Sequence, residues 1–333
     1  MSVFGLVLML AGVLCMAGSS VLQRYLLREK ICSQYDVLVW GFVIAGSMLG
    51  IASLWWPGVG LSESDLRVFW VAVAATTAAN VVIQYANNKA RAIADVSLTA
   101  PIQGMTPLLI AGAAVTLNEW PTRIGVAGIV LIALGMWIHT REKATTILEY
   151  LLPLRMLWLP SNFSTLSAHE QKQAQNDTLA IRWSYASACF GTIGLLFDGI
   201  ATRNGSVALG WCIDLLILAF IFSIAMRPER TDRELRDHLH WLGLSAYSAL
   251  WAGHVLLIMS VFRFAPVAYV GSLKRLSILA TVFLAYVLIN EYKAGWRMFP
   301  AGMIAFGAML LFFDPGSSAI VAKADNFLRV WVH

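Results

Sequence analysis

The chain has 333 residues, 59% hydrophobic and 13% charged, with a formal net charge of +5. That charged share is about half the share in soluble domains. It is too small to coat one or two water-soluble domains, so the chain reads as a polytopic membrane protein. The positive charge is spread through short loops, where it encodes membrane orientation; no nucleic-acid partner is expected.

Apolar windows of about 20 residues predict ten spans, near 3–23, 36–56, 68–88, 95–117, 122–139, 182–202, 206–226, 240–262, 266–289 and 294–314. The first lacks the basic stretch of a cleaved signal peptide and reads as a spanning helix; it carries Ser19, Ser20 and Gln23. The third carries Asn80, Gln84, Asn87 and Asn88 at helical spacing, one polar stripe on an apolar helix. In the fourth, Gln103 lies between Thr99 and Thr106, and Pro101 and Pro107 interrupt the hydrogen-bond ladder. Interrupted segments point to binding sites in membrane helices.

A hydrophilic segment, 140–181, follows the fifth span. Its "ILEYLLPLRMLWLP" is too short and too broken by Pro153 and Pro160 to span, and reads as interfacial. The next stretch, "HEQKQAQND", reads as polar and mobile. The sixth and seventh spans contain Asp198 and Asp214, and the eighth aligns Tyr247, Trp251 and His254 on one face. Such polar stripes either join helices or face water.

In the ninth span, Lys274 and Arg275 are the tenth and eleventh residues counted from Ala265, near the bilayer centre. A cation there costs about 2.5–3.5 kcal/mol by insertion scales, so two together are not expected to face lipid. Two readings stand: a structural ion pair, or recognition of an anionic group, with Arg275 offering a two-pronged donor fork. Asp198 and Asp214 are the candidate counter-ions. With either neutralising the cations, a zwitterion fits; with either titrating, it carries a coupling proton, as His254 also can.

Lys and Arg outside the spans concentrate after the odd-numbered ones. The positive-inside rule then places the central segment in the cytoplasm and both termini outside. Cys15, Cys32, Cys189 and Cys212 form no metal-like spacing, and no metal or cofactor is expected. Phosphate-binding-loop, zinc-hydrolase and serine-hydrolase motifs are absent, so the chain reads as a non-enzyme powered by gradients.

The two halves repeat. "APIQGMTPLLIAGAAVTLNEW" in the fourth span aligns with "SLKRLSILATVFLAYVLINEY" in the ninth, setting Asn118 and Glu119 on Asn290 and Glu291. Arg91 falls on Arg263, Gly135 on Gly307, and Gln103 on Arg275. Five spans per half is an odd number, so the halves must be inverted relative to each other. The expected fold is all-α, ten transmembrane helices as two five-helix repeats, 1–139 and 182–314, joined by 140–181 and ending in a 315–333 tail. Glu119 and Glu291 sit at helix ends and read as capping residues.

The features "AP…PLL…LNEW…G…G" over 100–135 and "AP…LKR…INEY…G…G" over 265–307 resemble the drug/metabolite transporter superfamily, in its EamA-like branch. Leu273 where the fourth span has Pro101, and the long central segment, depart from that pattern. The resemblance implies a ten-helix carrier in the inner membrane, moving a small solute through a central cavity by alternating access. Lys274, Arg275, Gln103, Asn80, Gln84, Tyr247 and Trp251 are the expected solute-binding residues. The rivals are a flippase for a lipid-linked sugar or lipid phosphate, a membrane enzyme for which only Asp198, Asp214 and His254 offer reactive groups, and a non-transporting assembly subunit with a dry, packed centre.

Overall fold

The computed structural model describes residues 3–55, 63–102, 109, 122–141, 157–158, 163–227, 237–261, 270, 274–291 and 294–312. Among them every regular element is helical and none is a strand. In chain order the helices are α1 (Val3–Arg28), α2 (Gln34–Leu38), α3 (Trp40–Trp55), α4 (Glu63–Ile93), α5 (Val96–Thr99) and α6 (Arg123–Arg141). After a 3-10 turn at Phe163–Thr165 come α7 (Ala168–Asn204), α8 (Val207–Ala225), α9 (Asp237–Val261), α10 (Leu276–Ile289) and α11 (Ala294–Phe312).

Six stretches are long and apolar enough to cross a membrane: Val7–Arg28, Gln34–Trp55, Leu66–Ile93, Ala168–Asn204, Val207–Ala225 and His238–Val261. Leu54, Trp55, Phe220 and Ile224 are mostly exposed on them, an outer surface that only lipid tails can solvate. The chain is an all-helical, multi-pass membrane protein. Gln103, Pro107 and Glu119, and most of the predicted fourth span, lie outside the described residues.

Local chemistry sets the helix ends. Lys30 ends α1 in the left-handed region (φ 54°), and the Ile31 amide donates back to the Leu26 carbonyl at 2.9 Å. Asn290 does the same for α10 (φ 51°), with the Glu291 amide reaching the Ala285 carbonyl at 3.2 Å. Asparagine tolerates that conformation better than most residues. At α2, the Ser33 hydroxyl accepts from the Asp36 amide at 3.1 Å while the Asp36 carboxylate accepts from the Ser33 amide at 2.9 Å.

One expectation is corrected here. "HEQKQAQND" is not an irregular linker but the first turns of the 37-residue α7. Ser167 and Glu170 close a capping box: the Ser167 amide donates to the Glu170 carboxylate at 2.9 Å, and the Glu170 amide to the Ser167 hydroxyl at 3.4 Å. Gln, Lys and Ala are good helix formers, and an adjoining spanning helix removes the cost of nucleation. At 1.5 Å per residue α7 is about 55 Å long, well beyond a ~30 Å hydrocarbon core.

The helices pair between the predicted halves: α4 runs along α7, α1 along α9, α3 along α8, and α6 along α11. The last pairing is reciprocal. A Cβ on Gly135 would come within 2.7 Å of Ile304 and 2.9 Å of the Pro300 carbonyl, and one on Gly307 within 2.8 Å of the Gly128 carbonyl and the Ile132 amide. Only glycine permits that approach, the usual device of membrane helix packing. One apolar core gathers α1, α2, α3, α8 and α9, and a second gathers α5, α6, α10 and α11 with parts of α4 and α7.

Candidate functional site

A cavity of about 130 Å³ has walls from α1, α4, α7, α8, α9 and the residues just before α10. Helix α4 contributes Asn80, Gln84, Asn87 and Arg91 to it. These recur on one face over eleven residues, about 16 Å of helix axis. Helix α7 adds Ser187, Gly191, Gly194 and Asp198 to the lining. Trp211 of α8 and Trp251 of α9 meet edge to face at 5.7 Å, and His254 packs on Trp251 at 4.9 Å, forming an aromatic wall.

Lys274 and Arg275 both line the cavity, and Arg275 is the N-cap residue of α10. Arg275 is 8% exposed, so this is a desolvated cation inside the bundle. Asp198 acts electrostatically on Lys274 across the cavity and accepts a 2.5 Å hydrogen bond from Thr76.

The predicted site residues therefore divide. Asn80, Gln84, Trp251, His254, Asp198, Lys274 and Arg275 line one cavity. Asp214 stands behind it, 1% exposed in a smaller gap that Asp198 also borders, where it accepts from Asn80 at 3.1 Å. Asp214 lies within electrostatic reach of Asp198. Tyr247 is not among the described lining residues: it is 1% exposed and its ring packs against Gly41. Its phenol lies within electrostatic reach of Arg91 and so backs the cavity rather than lining it.

Arg91 is the cavity residue that the sequence reading missed. It continues the stripe of Asn80, Gln84 and Asn87 by one further turn, which was the available signal. Its position at the end of a span made it look like an ordinary loop cation. Its guanidinium donates to the Gln23 side-chain carbonyl, Gln23 donates to Asn88 at 2.9 Å, and Asn88 to the Gln34 carbonyl at 3.2 Å.

Next to Arg91, at one end of the bundle, the chain builds an ionic cluster. Arg24 donates to the carbonyls of Arg91 (2.9 Å) and Ala92 (3.2 Å), and stands 3.5 Å from Asp95 and 3.9 Å from Glu291. Arg297, 2% exposed, donates to Ser97 at 2.7 Å and meets Asp95 at 3.4 Å. The Glu291 carboxylate accepts from the amides of Val96 (3.1 Å) and Ser97 (3.0 Å). Glu291 is thus a capping residue, but of α5 in the other half rather than of the helix that follows it. Among the described residues no group of His, Cys, Asp and Glu could hold a metal ion.

The described residues form a bundle of apolar helices around a polar, cation-lined cavity. Residues 3–141 match the model of the EamA-like transporter family, a family of membrane transporters. A solved structure titled only "Crystal structure of protein" shares the fold over 92% of this chain and 96% of its own, with a TM-score of 0.56 at 16% identity. No curated protein sequence matches the chain significantly.

Proposed function

We propose that the chain is a secondary-active transporter that moves a small polar anion or zwitterion across the inner membrane by alternating access. The observation that carries this is the cavity, with Lys274 and Arg275 in its wall. An assembly subunit with the same cations would be expected to pack them dry against carboxylates. Here they border open space that both predicted halves line.

Helix pairing supports the inverted repeat. Exchanging the first span for the sixth, the second for the seventh, and so on turns the α4–α7 pair into the α9–α1 pair and returns α3–α8 and α6–α11 to themselves. The contacts of Gly135 with Pro300 and Ile304, and of Gly307 with Gly128 and Ile132, exchange in the same way. That is the behaviour of an interface between two copies of one structural unit. The charge bias assigns the Arg24–Asp95–Glu291–Arg297 cluster to the cytoplasmic end, where it joins the halves as a latch. Asp198 and Asp214, buried toward the other end, are the groups placed to carry a coupling proton.

A ligand-dependent thermal shift on purified protein tests this. The panel holds phosphorylated and carboxylated solutes, zwitterionic amino acids and amines, on wild type and Arg275→Gln. Binding to the native state alone raises the melting point by mass action. Stabilisation by an anion or zwitterion that disappears in Arg275→Gln is expected. Equal responses in both proteins, or a preference for amines, would contradict the reading.

A further inference from the structure

The described lining includes two unlike surfaces. Helix α4 brings the amides of Asn80, Gln84 and Asn87, while α8 and α9 bring the indoles of Trp211 and Trp251. Amides and cations suffice for a solute that is polar throughout. An indole beside them adds nothing for such a solute, because what it offers is apolar surface and a π face.

The indoles are held in place by the fold itself. The Trp251 ring meets those of Trp211 at 5.7 Å, Phe42 at 5.6 Å and His254 at 4.9 Å. The Trp211 and His254 rings stand at 63° and 82° to it, the edge-to-face arrangement that aromatic rings prefer. Phe42 is fully buried and anchors the stack in the apolar core. Rings fixed in this way lose little freedom when a further ring joins them, which is the advantage of preorganisation.

The aromatic wall also adjoins the charge. His254 lies within electrostatic reach of Lys274, and both border the same cavity as the two indoles. Its volume of about 130 Å³ is close to the ~150 Å³ in which a protein interior holds one benzene molecule. We infer that the transported solute carries a single aromatic ring, packed against Trp211 and Trp251, close to the anionic group that Lys274 and Arg275 bind. The chemical class is a one-ring aromatic carboxylate. The inference rests on the transporter reading and narrows its solute.

Such a site distinguishes solutes of equal charge and similar size. A saturated ring buries a comparable area but lacks the π faces and polar edges that an indole answers. Aromatic pairing is worth about two- to tenfold in affinity beyond the area buried.

The test is a thermal shift on the purified full chain at neutral pH. The probes are benzoate and phenylacetate, their saturated counterparts cyclohexanecarboxylate and cyclohexylacetate, the open-chain hexanoate, and neutral benzamide. At least one aromatic acid is expected to act at a concentration about threefold or more below its saturated counterpart. In Trp251→Leu the two should act at about the same concentration, with the response to hexanoate kept. Trp251→Phe should keep most of the preference. Should Trp251→Leu not fold, Trp211→Leu takes its place, and the wild-type ratios stand without either variant.

Aromatic and saturated acids acting equally on wild type, both lost in Arg275→Gln, would overturn the aromatic solute but leave the anion transporter standing. An aromatic preference unchanged in both leucine variants would place the ring away from this wall and overturn the inference too. Benzamide acting as well as benzoate, both insensitive to Arg275→Gln, would overturn the aromatic acid and the anion reading together. No response to any of these acids would overturn the inference, and phosphorylated solutes and amines would then decide the transporter reading.

Discussion

Asn290 and Glu291 divide one task. Asn290 takes the left-handed conformation that stops α10, and Glu291 then turns its carboxylate onto the first amides of α5. Glu291→Ala leaves those buried amides without their acceptor and removes one of the two carboxylates that face Arg24. Losing one partner of a buried charge pair costs about 3–5 kcal/mol, so the variant is expected to melt well below wild type. Cys32 offers a readout: it is 2% exposed, and burial pushes its thiol up to about 12. It should resist a thiolate-selective label at pH 8 until the bundle opens, and be labelled at a lower temperature in Glu291→Ala. At this scale Lys274 and Arg275 were legible because a charge in an apolar run has a known cost. Arg91 was not, because a cation at the end of a span has an ordinary explanation in the orientation rule.

At the scale of elements, the α6–α11 contact and the α7 cap each make a prediction. Gly135→Ala or Gly307→Ala places a methyl group under 3 Å from backbone across the interface. Overpacking of this kind costs about 1–3 kcal/mol, and a lowered melting point is expected. The double variant should cost less than the sum, because both methyls demand the same separation of the two helices. Additive costs would argue that the two contacts are independent. For α7, Ser167→Ala removes the hydroxyl from the capping box and should speed hydrogen exchange in the first turn, at Gln171 and its neighbours, without changing the centre of the helix. The Ser-x-x-Glu pattern ahead of "HEQKQAQND" was readable in the sequence. Its polarity outweighed it, since a charged stretch between spans resembles a linker. The structure resolves the conflict by projecting a helix beyond the membrane.

For the whole molecule, composition alone specified the solvent and the helical class, because a chain this poor in charge has only helices or a closed barrel with which to cross lipid. Gly135 and Gly307, matched in the sequence comparison, both stand where α6 and α11 approach most closely. What no span-by-span reading reached was which helices pair: α4 with α7, α1 with α9, α3 with α8 and α6 with α11. That Tyr247 backs the cavity while Arg91 lines it depends on how α9 and α4 are rotated about their axes. Hydrophobic periodicity does not report that rotation when every face is apolar.

The most direct measurement is counterflow into proteoliposomes holding the purified chain and loaded in turn with unlabelled carboxylates, phosphate esters and amino acids, read as uptake of the same labelled solute. Wild type should accumulate label transiently above empty vesicles, and Arg275→Gln, reconstituted to the same level, should not. Uptake by wild type no greater than by empty vesicles across dicarboxylates, monocarboxylates, phosphate esters and amino acids would contradict a transporter built on this cavity, as would equal uptake by Arg275→Gln.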